Sequence, residues 1–258
     1  MTLHKHNQSI YTHLAPVYDD VMKDVDYEVW ADFIDDIIAT HFEEAQTLLE
    51  LGCGTGTLSL LLEEFDLYDI TATDISNEML EVARFKGEFK QSKVEFEQVD
   101  FTDIRLDRTF DAVVLVFDGI NYMTEDDGIV RVLNQVKSVM HDDSLFILDF
   151  ATATNSQKHA ELMNDEGITP DHWRFVRVSR FLPAEKLHYN DFTLEKLSED
   201  NAHVLQRYRE VHVQRVYTFE EMKTLVARSG MRILAAYSGF DLEEATSQSD
   251  RITLVLQK

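Results

Sequence analysis

The chain has one cysteine, Cys53, so it can form neither an internal disulfide nor a multi-cysteine metal site. It is also short of positive charge. Against 48 Asp and Glu there are 24 Lys and Arg, a formal net charge of -24 at pH 7. A field of that sign repels phosphate backbones and argues against general nucleic-acid binding. It fits a well-solvated, salt-tolerant surface, and it would also attract a cationic substrate. One local exception is a cluster of arginines, Arg174, Arg177 and Arg180. No run approaches the roughly 18 apolar residues of a membrane span. The stretch Met1 to Asn7 is polar, with His4 and His6, and lacks the apolar centre of a signal peptide. A cytoplasmic protein without membrane contact is therefore expected. No histidine pairs with acidic residues at metal-ligand spacing, so no metal is expected.

What is present is 44% hydrophobic residues, enough for one substantial α/β domain with a small lobe. An aromatic segment over residues 8–23 is interrupted by Pro16. From Tyr27 to Phe42 the residues Trp30, Phe33, Ile34, Ile37 and Ile38 recur at helical spacing. Strands and helices then alternate. Strands are expected at Thr47–Leu51, Ile70–Thr73, Val94–Val99, Phe110–Phe117 and Ser144–Phe150, with helices after the first, second and fourth. Ser76 is placed to cap the helix from Asn77 to about Phe85.

This rhythm predicts a Rossmann-like sheet, mostly parallel and covered on both faces. It breaks after Phe150. Residues 152–167 read as helix plus loop, and three strand-like stretches follow, Trp173–Phe181, Leu187–Leu197 and His203–Val216. Strands without intervening helices predict a small antiparallel β insertion. A capping box at Thr218–Glu221, a helix ending at Gly230, and strands at Met231–Tyr237 and Arg251–Gln257 return to the main sheet. The expected whole is a seven-stranded sheet with an antiparallel terminal strand. Its parts are a cofactor-binding core over residues 1–150, an inserted lobe over 151–216, and a completing helix and strand pair over 217–258.

The first strand runs into Gly52-Cys53-Gly54-Thr55-Gly56, a turn in which glycines let a ligand approach the main chain. Thr57 stands where the dinucleotide fingerprint needs glycine, and the Gly-Lys-Ser/Thr ending of a phosphate P-loop is absent. Asp74 ends the second strand, about 20 residues on, where a carboxylate can accept from ribose hydroxyls. Asp100 ends the third, where it can accept from an exocyclic amine. Each aspartate alone reads equally well as a helix cap or turn residue.

In that order, Glu50-Leu51-Gly52-Cys53-Gly54-Thr55-Gly56, Asp74-Ile75-Ser76 and Asp100-Phe101 resemble the motifs of class I S-adenosylmethionine-dependent methyltransferases. Phe110-Asp111-Ala112-Val113-Val114 and Asn121-Tyr122 continue the resemblance, as does the closing helix with its strand pair. The likeness spans about Ala45 to Phe150 and Tyr217 to Lys258. It implies S-adenosyl-L-methionine as cofactor. The backbone of Gly52 and Gly54, with Cys53 and Gly56 in the same turn, would hold its methionine end, and Glu50 would face the amino group. Asp74 would bind the ribose, Ile75 and Phe101 would flank the adenine, and Asp100 would accept from its amine. Phe117 and Asp118 would line the sulfonium region.

The N-terminal aromatics and the insertion look like a subgroup that methylates nitrogen or oxygen of small polar molecules. Tyr18 and His212 are the candidate catalytic groups, His212 as a base. Tyr11, Trp30, Asn121, Tyr122, Gln214 and Arg215 are the candidate acceptor contacts. If residues 203–216 form a strand, alternation points His212 and Gln214 to one face and Arg215 to the other. The rival readings are an RNA-nucleotide methyltransferase, disfavoured by the charge, and a non-catalytic binder of the cofactor. A monomer or homodimer with a small-molecule acceptor is expected.

Overall fold

The computed structural model describes residues 10–258, so Met1 to Asn7, with His4 and His6, lie outside the described residues. In chain order the main helices are α1 (Tyr18–Val21), α2 (Tyr27–His41), α3 (Thr57–Glu63), α4 (Asn77–Lys90), α5 (Asp126–Ser138), α6 (Ala153–His159) and α7 (Phe219–Ser229). The first strands are β1 (Thr47–Leu51), β2 (Asp69–Asp74), β3 (Glu95–Gln98), β4 (Phe110–Leu115) and β5 (Met140–Ala151). Then come β6 (Asp165–Ile168), β7 (Trp173–Leu182), β8 (Leu187–Leu197), β9 (Val204–Arg215), β10 (Arg232–Ser238) and β11 (Arg251–Gln257).

Seven strands form one sheet in the order β10-β11-β5-β4-β1-β2-β3. Its pairs are parallel from β5 to β3, and β11 runs antiparallel to both β5 and β10. Buried strands with helices on both faces are apolar at successive positions. Leu48, Ala112, Val114 and Ile147 pack against Ile34, Ile37 and Leu58 of α2 and α3 on one face. Their neighbours Leu49, Val113, Phe146 and Leu148 pack against Val132, Val136 and Leu225 of α5 and α7 on the other. The predicted caps form: Ser76 Oγ accepts from Met79 N at 3.2 Å, and Thr218 and Glu221 make a reciprocal box. Among the described residues no helix is long and apolar enough to cross a membrane.

Two elements depart from the sequence reading near the ligand side. The fourth strand ends at Leu115, because Phe117 and Asp118 both take left-handed backbone conformations (φ 56° and 61°). The polar stretch 152–167 also hides a strand, β6, which pairs antiparallel with β7. The smaller sheet therefore has four strands, β6-β7-β8-β9. Gly167 makes this edge possible, since a Cβ there would lie 2.8 Å from the Phe175 ring.

The N-terminal segment joins the two sheets. Pro16 starts a 3-10 turn, Ala15–Val17, that leads into α1. Leu14, Val17 and Val21 pack on Phe175, Phe192 and Leu194 of the small sheet, while the Tyr18 ring lies over Gly54.

Candidate active site

At the carboxyl ends of the parallel strands the glycine turn carries β1 into α3, the position where open α/β sheets bind ligands. Gly52 and Gly54 are left-handed (φ 67° and 56°) and leave the turn open towards Tyr18: a Cβ on Gly54 would meet Tyr18 Cε1 at 3.9 Å. Gly56 has a different reason. A Cβ there would come within 2.8 Å of Phe96 Cε1 and 3.0 Å of Ala83 Cβ, so the lack of a side chain at this position serves packing. The Cys53 side chain is likewise turned into the core with Ala72 and Leu80, leaving only its backbone in the turn. Burial, with the nearby Glu50 and Asp74 carboxylates, raises its thiol far above the ordinary range, so it is no nucleophile.

Two buried carboxylates stand beside the turn. Asp74 Oδ2 accepts from Gly54 N at 2.9 Å and Oδ1 from Ser76 N at 2.8 Å, so it shapes the turn directly. Burial pushes its carboxyl upward, and those N–H donors oppose the shift. Glu50 is 2% exposed and accepts from the Ser59 hydroxyl. Burial moves its carboxyl up to about 7, with the Ser59 hydrogen bond opposing and Asp74 adding to the rise. Open glycine backbone, a carboxylate at the end of β2 and a carboxylate under the turn fit a ligand with a nucleoside and an ammonium group. Asp100 is half-buried and its Oδ1 accepts from Thr102 N and Oγ1, both at 2.7 Å. Phe101 lies near Gly52, while Ile75 is 48% exposed.

Tyr18, whose ring lies over Gly54, lines with Phe117 and Asp118 a cavity of about 850 Å³, within the ~300–1,000 Å³ usual for small-molecule sites. The cavity lies under the inner face of the small sheet and also takes in Tyr11, Trp30, Tyr122, His212 and Gln214. Trp30 packs on Phe117 with ring centroids 4.5 Å apart and lies 5.3 Å from the Arg251 guanidinium. Arg251 in turn reaches Asp118 Oδ1 at 2.7 Å and also binds buried Asp149. This network holds the left-handed Phe117-Asp118 corner, a backbone strain that the surroundings have to sustain. Gln214 Nε2 donates to Asp118 O at 3.3 Å.

A buried hydrogen-bonded chain crosses the cavity wall. The hydroxyls of Tyr11 and Tyr122 are 2.6 Å apart, and Tyr122 Oη lies 2.9 Å from His212 Nδ1. His212 Nε2 faces Glu210 Oε2 at 3.4 Å. The Glu210 carboxylate also accepts from the backbone N–H of Tyr11 (2.7 Å), His13 (2.5 Å) and Leu14 (3.2 Å). Burial raises the Glu210 carboxyl, but the His212 and backbone hydrogen bonds outweigh it and hold the carboxyl below its ordinary value. An ionised Glu210 accepts a hydrogen bond from Nε2–H and leaves Nδ1 to accept from the Tyr122 hydroxyl. Burial keeps the phenols of Tyr11, Tyr18 and Tyr122 protonated, so each acts as a donor or acceptor and none is a phenolate.

Two expected acceptor contacts are placed otherwise. Asn121 is fully buried; its Nδ2 donates to Ala151 O (3.1 Å) and Arg215 O (2.8 Å), and its Oδ1 accepts from Ala151 N. Its polar atoms are occupied in pinning strand ends at the cavity wall. Arg215, on the opposite strand face, pairs with Asp126 at 2.8 Å and stacks on Tyr217, away from the cavity. Sequence reasoning missed Glu210. The signal was the same alternation that paired His212 with Gln214, read two residues further back.

Residues 48–143 match the family model described as "Methyltransferase domain". Over 96% of its length the chain is 28% identical to "Putative methyltransferase YqeM" of Bacillus subtilis (strain 168), covering 97% of that protein. A solved S-adenosylmethionine-dependent methyltransferase of Clostridium acetobutylicum ATCC 824 superposes with a TM-score of 0.78 at 22% identity, over 96% of this chain and 98% of the other. The sugar N-methyltransferase KedS8 of Streptoalloteichus sp ATCC 53650 superposes with a TM-score of 0.69 at 18% identity, over 94% and 93%.

Proposed function

We propose, for a chain that belongs to the class I S-adenosylmethionine-dependent methyltransferases, that the methyl acceptor is a small polar molecule held under the four-stranded sheet and methylated at nitrogen or oxygen. The observation that carries this reading is the cavity of about 850 Å³, which meets the glycine turn through Tyr18, a lining residue whose ring lies over Gly54. It has the volume of a small-molecule site and is too small for a folded macromolecule. The structural likeness to KedS8, a sugar N-methyltransferase, supports the same reading.

When bound, the cofactor supplies an electrophilic methyl on a sulfonium. Gly52, Gly54 and Glu50 hold the methionine end in this reading, Asp74 the ribose, and Asp100, Phe101 and Ile75 the adenine. Tyr18 and the N-terminal segment cover the turn and keep water out. Positioning of this kind lowers a displacement barrier by several kcal/mol without covalent chemistry. An acceptor proton has a path through Tyr11 or Tyr122 to His212 Nδ1, and Glu210 stabilises the imidazolium that forms.

The test is release of S-adenosylhomocysteine across a panel of amines, amino sugars and hydroxy acids, alongside calorimetry with the cofactor. Turnover of at least one small acceptor is expected, with Asp74→Ala weakening cofactor binding by about 10-fold or more, as loss of buried hydrogen bonds to charge predicts. Absence of cofactor binding by the unmodified chain, or equal binding by Asp74→Ala, defeats the assignment.

A further inference from the structure

The three arginines clustered in the sequence do not share a surface. On β7 alternation turns Arg174 and Arg180 outward, where Arg174 pairs with Glu195 and Arg180 stacks on Tyr189 at 4.8 Å. Arg177 points inward with Phe175 and Ser179 and lines the cavity. There its guanidinium donates through Nε to Met163 O, and among the described residues it makes no ion pair. Asp165, its cross-strand partner on β6, is the nearest acidic influence, yet no carboxylate comes within ion-pair distance. A cation held inward is costly unless something pairs with it. Arginine also presents a rigid fork of donors that matches an oxyanion.

A second polar group shares this face. Asn190 on β8 stands in register with Ser179 on one side and His212 on the other, and its buried Oδ1 has no hydrogen-bond partner. The adjacent His188 is occupied on both ring nitrogens, by Ser179 Oγ at 2.7 Å and Ser156 Oγ at 2.8 Å. Of the carboxylates lining the cavity, Asp118 pairs with Arg251, Asp24 and Asp26 stand near α2, and Asp165 stands across from Arg177 on β6 without pairing with it. Spare donor capacity is therefore concentrated at Arg177, diagonal across β7 and β8 from a side-chain amide that can turn either its N–H or its oxygen inward.

We infer that the acceptor carries an oxyanion, a carboxylate or a phosphate, and that Arg177 binds it inside the cavity with Asn190 completing the contact. The inference rests on the small-molecule methyltransferase reading and deepens it. It divides the cavity into a methyl-receiving end at Tyr11, Tyr122 and His212 and an anion-holding end at Arg177.

The experiment compares the full chain with Arg177→Gln and Asn190→Ala by calorimetry, in saturating S-adenosylhomocysteine, using inorganic phosphate in one arm and acetate in the other. In parallel, matched acceptors with and without the anion (glucosamine 6-phosphate against glucosamine, glycine against glycinamide) are assayed for turnover. The unmodified chain is expected to bind one of the two anions, and the arm that responds separates phosphate from carboxylate. Arg177→Gln should weaken that binding by about 10-fold or more, as loss of a charge-assisted pair predicts, and Asn190→Ala by less. Where a matched pair is turned over, KM for the anionic member should rise in Arg177→Gln while the neutral member is unaffected. The inference is overturned if the chain binds neither anion, or if Arg177→Gln binds them equally well. Failure of S-adenosylhomocysteine itself to bind strikes instead at the methyltransferase reading, and unchanged S-adenosylhomocysteine affinity in the variants shows that they have folded.

Discussion

At the scale of single residues, the most informative group is Glu50. It is a carboxyl under a glycine turn, out of reach of any cation among the described residues, and burial carries it up to about 7. If it faces the ammonium of a methionine-like ligand, binding favours its ionised form. Below about pH 7 a proton then has to leave as the ligand arrives, so affinity falls with acidity by up to tenfold per pH unit. Calorimetry with S-adenosylhomocysteine from about pH 5.5 to 8.5 should show that slope, flattening above neutrality, and Glu50→Gln should abolish it. A dissociation constant flat across the range would remove Glu50 from the ligand contact. The position of Glu50 was legible in the sequence, because a glutamate preceding a glycine turn is part of an ordered motif. The reason for Gly56 was not, because the Phe96 ring it clears comes from another strand.

At the scale of elements, the N-terminal segment is held by one side chain. The Glu210 carboxylate accepts from three successive-region amides, those of Tyr11, His13 and Leu14, and also orients His212. Hydrogen bonds to a charged group contribute about 1.5–3 kcal/mol each, so the loss of even one should loosen the segment noticeably. Glu210→Ala is expected to speed amide exchange at His13 and Leu14 by about 10-fold or more. Exchange in β1, β4 and β5 should stay as it was, and turnover should drop as the N-terminal segment loosens. Unchanged exchange at those amides would mean that Leu14, Val17 and Val21 hold the segment by packing alone. The alternating strands and helices of the main sheet announce themselves locally, through apolar runs and caps such as Ser76 and Thr218. The short edge strand β6 does not: Asp165-Glu166-Gly167-Ile168 has no strand pattern of its own and is a strand only because β7 lies beside it. The strained corner at Phe117-Asp118 was hidden for a similar reason. Its left-handed backbone depends on Arg251 and Asp149, both distant in the chain.

At the scale of the molecule, a charge of -24 has to be carried by a fold whose surface cations are outnumbered two to one. Salt acts on this surface in two opposite ways. It screens favourable pairs such as Lys90–Glu64 and Arg105–Asp103, but exposed pairs of that kind contribute only about 0–1 kcal/mol each. It also screens the mutual repulsion of the excess carboxylates, which opposes compactness over the whole surface. The screening length falls from about 10 Å at 0.1 M to about 3 Å at 1 M, so repulsion between non-adjacent acids is removed before close pairs are fully lost. Repulsion should win. Thermal unfolding in KCl raised from about 0.05 M to 0.5 M is expected to shift upward by a few degrees, the equivalent of about 1 kcal/mol for a chain of this size. A midpoint that stays put or falls would show that the acids are locally balanced by the lysines and arginines beside them, and that the net charge does not govern stability.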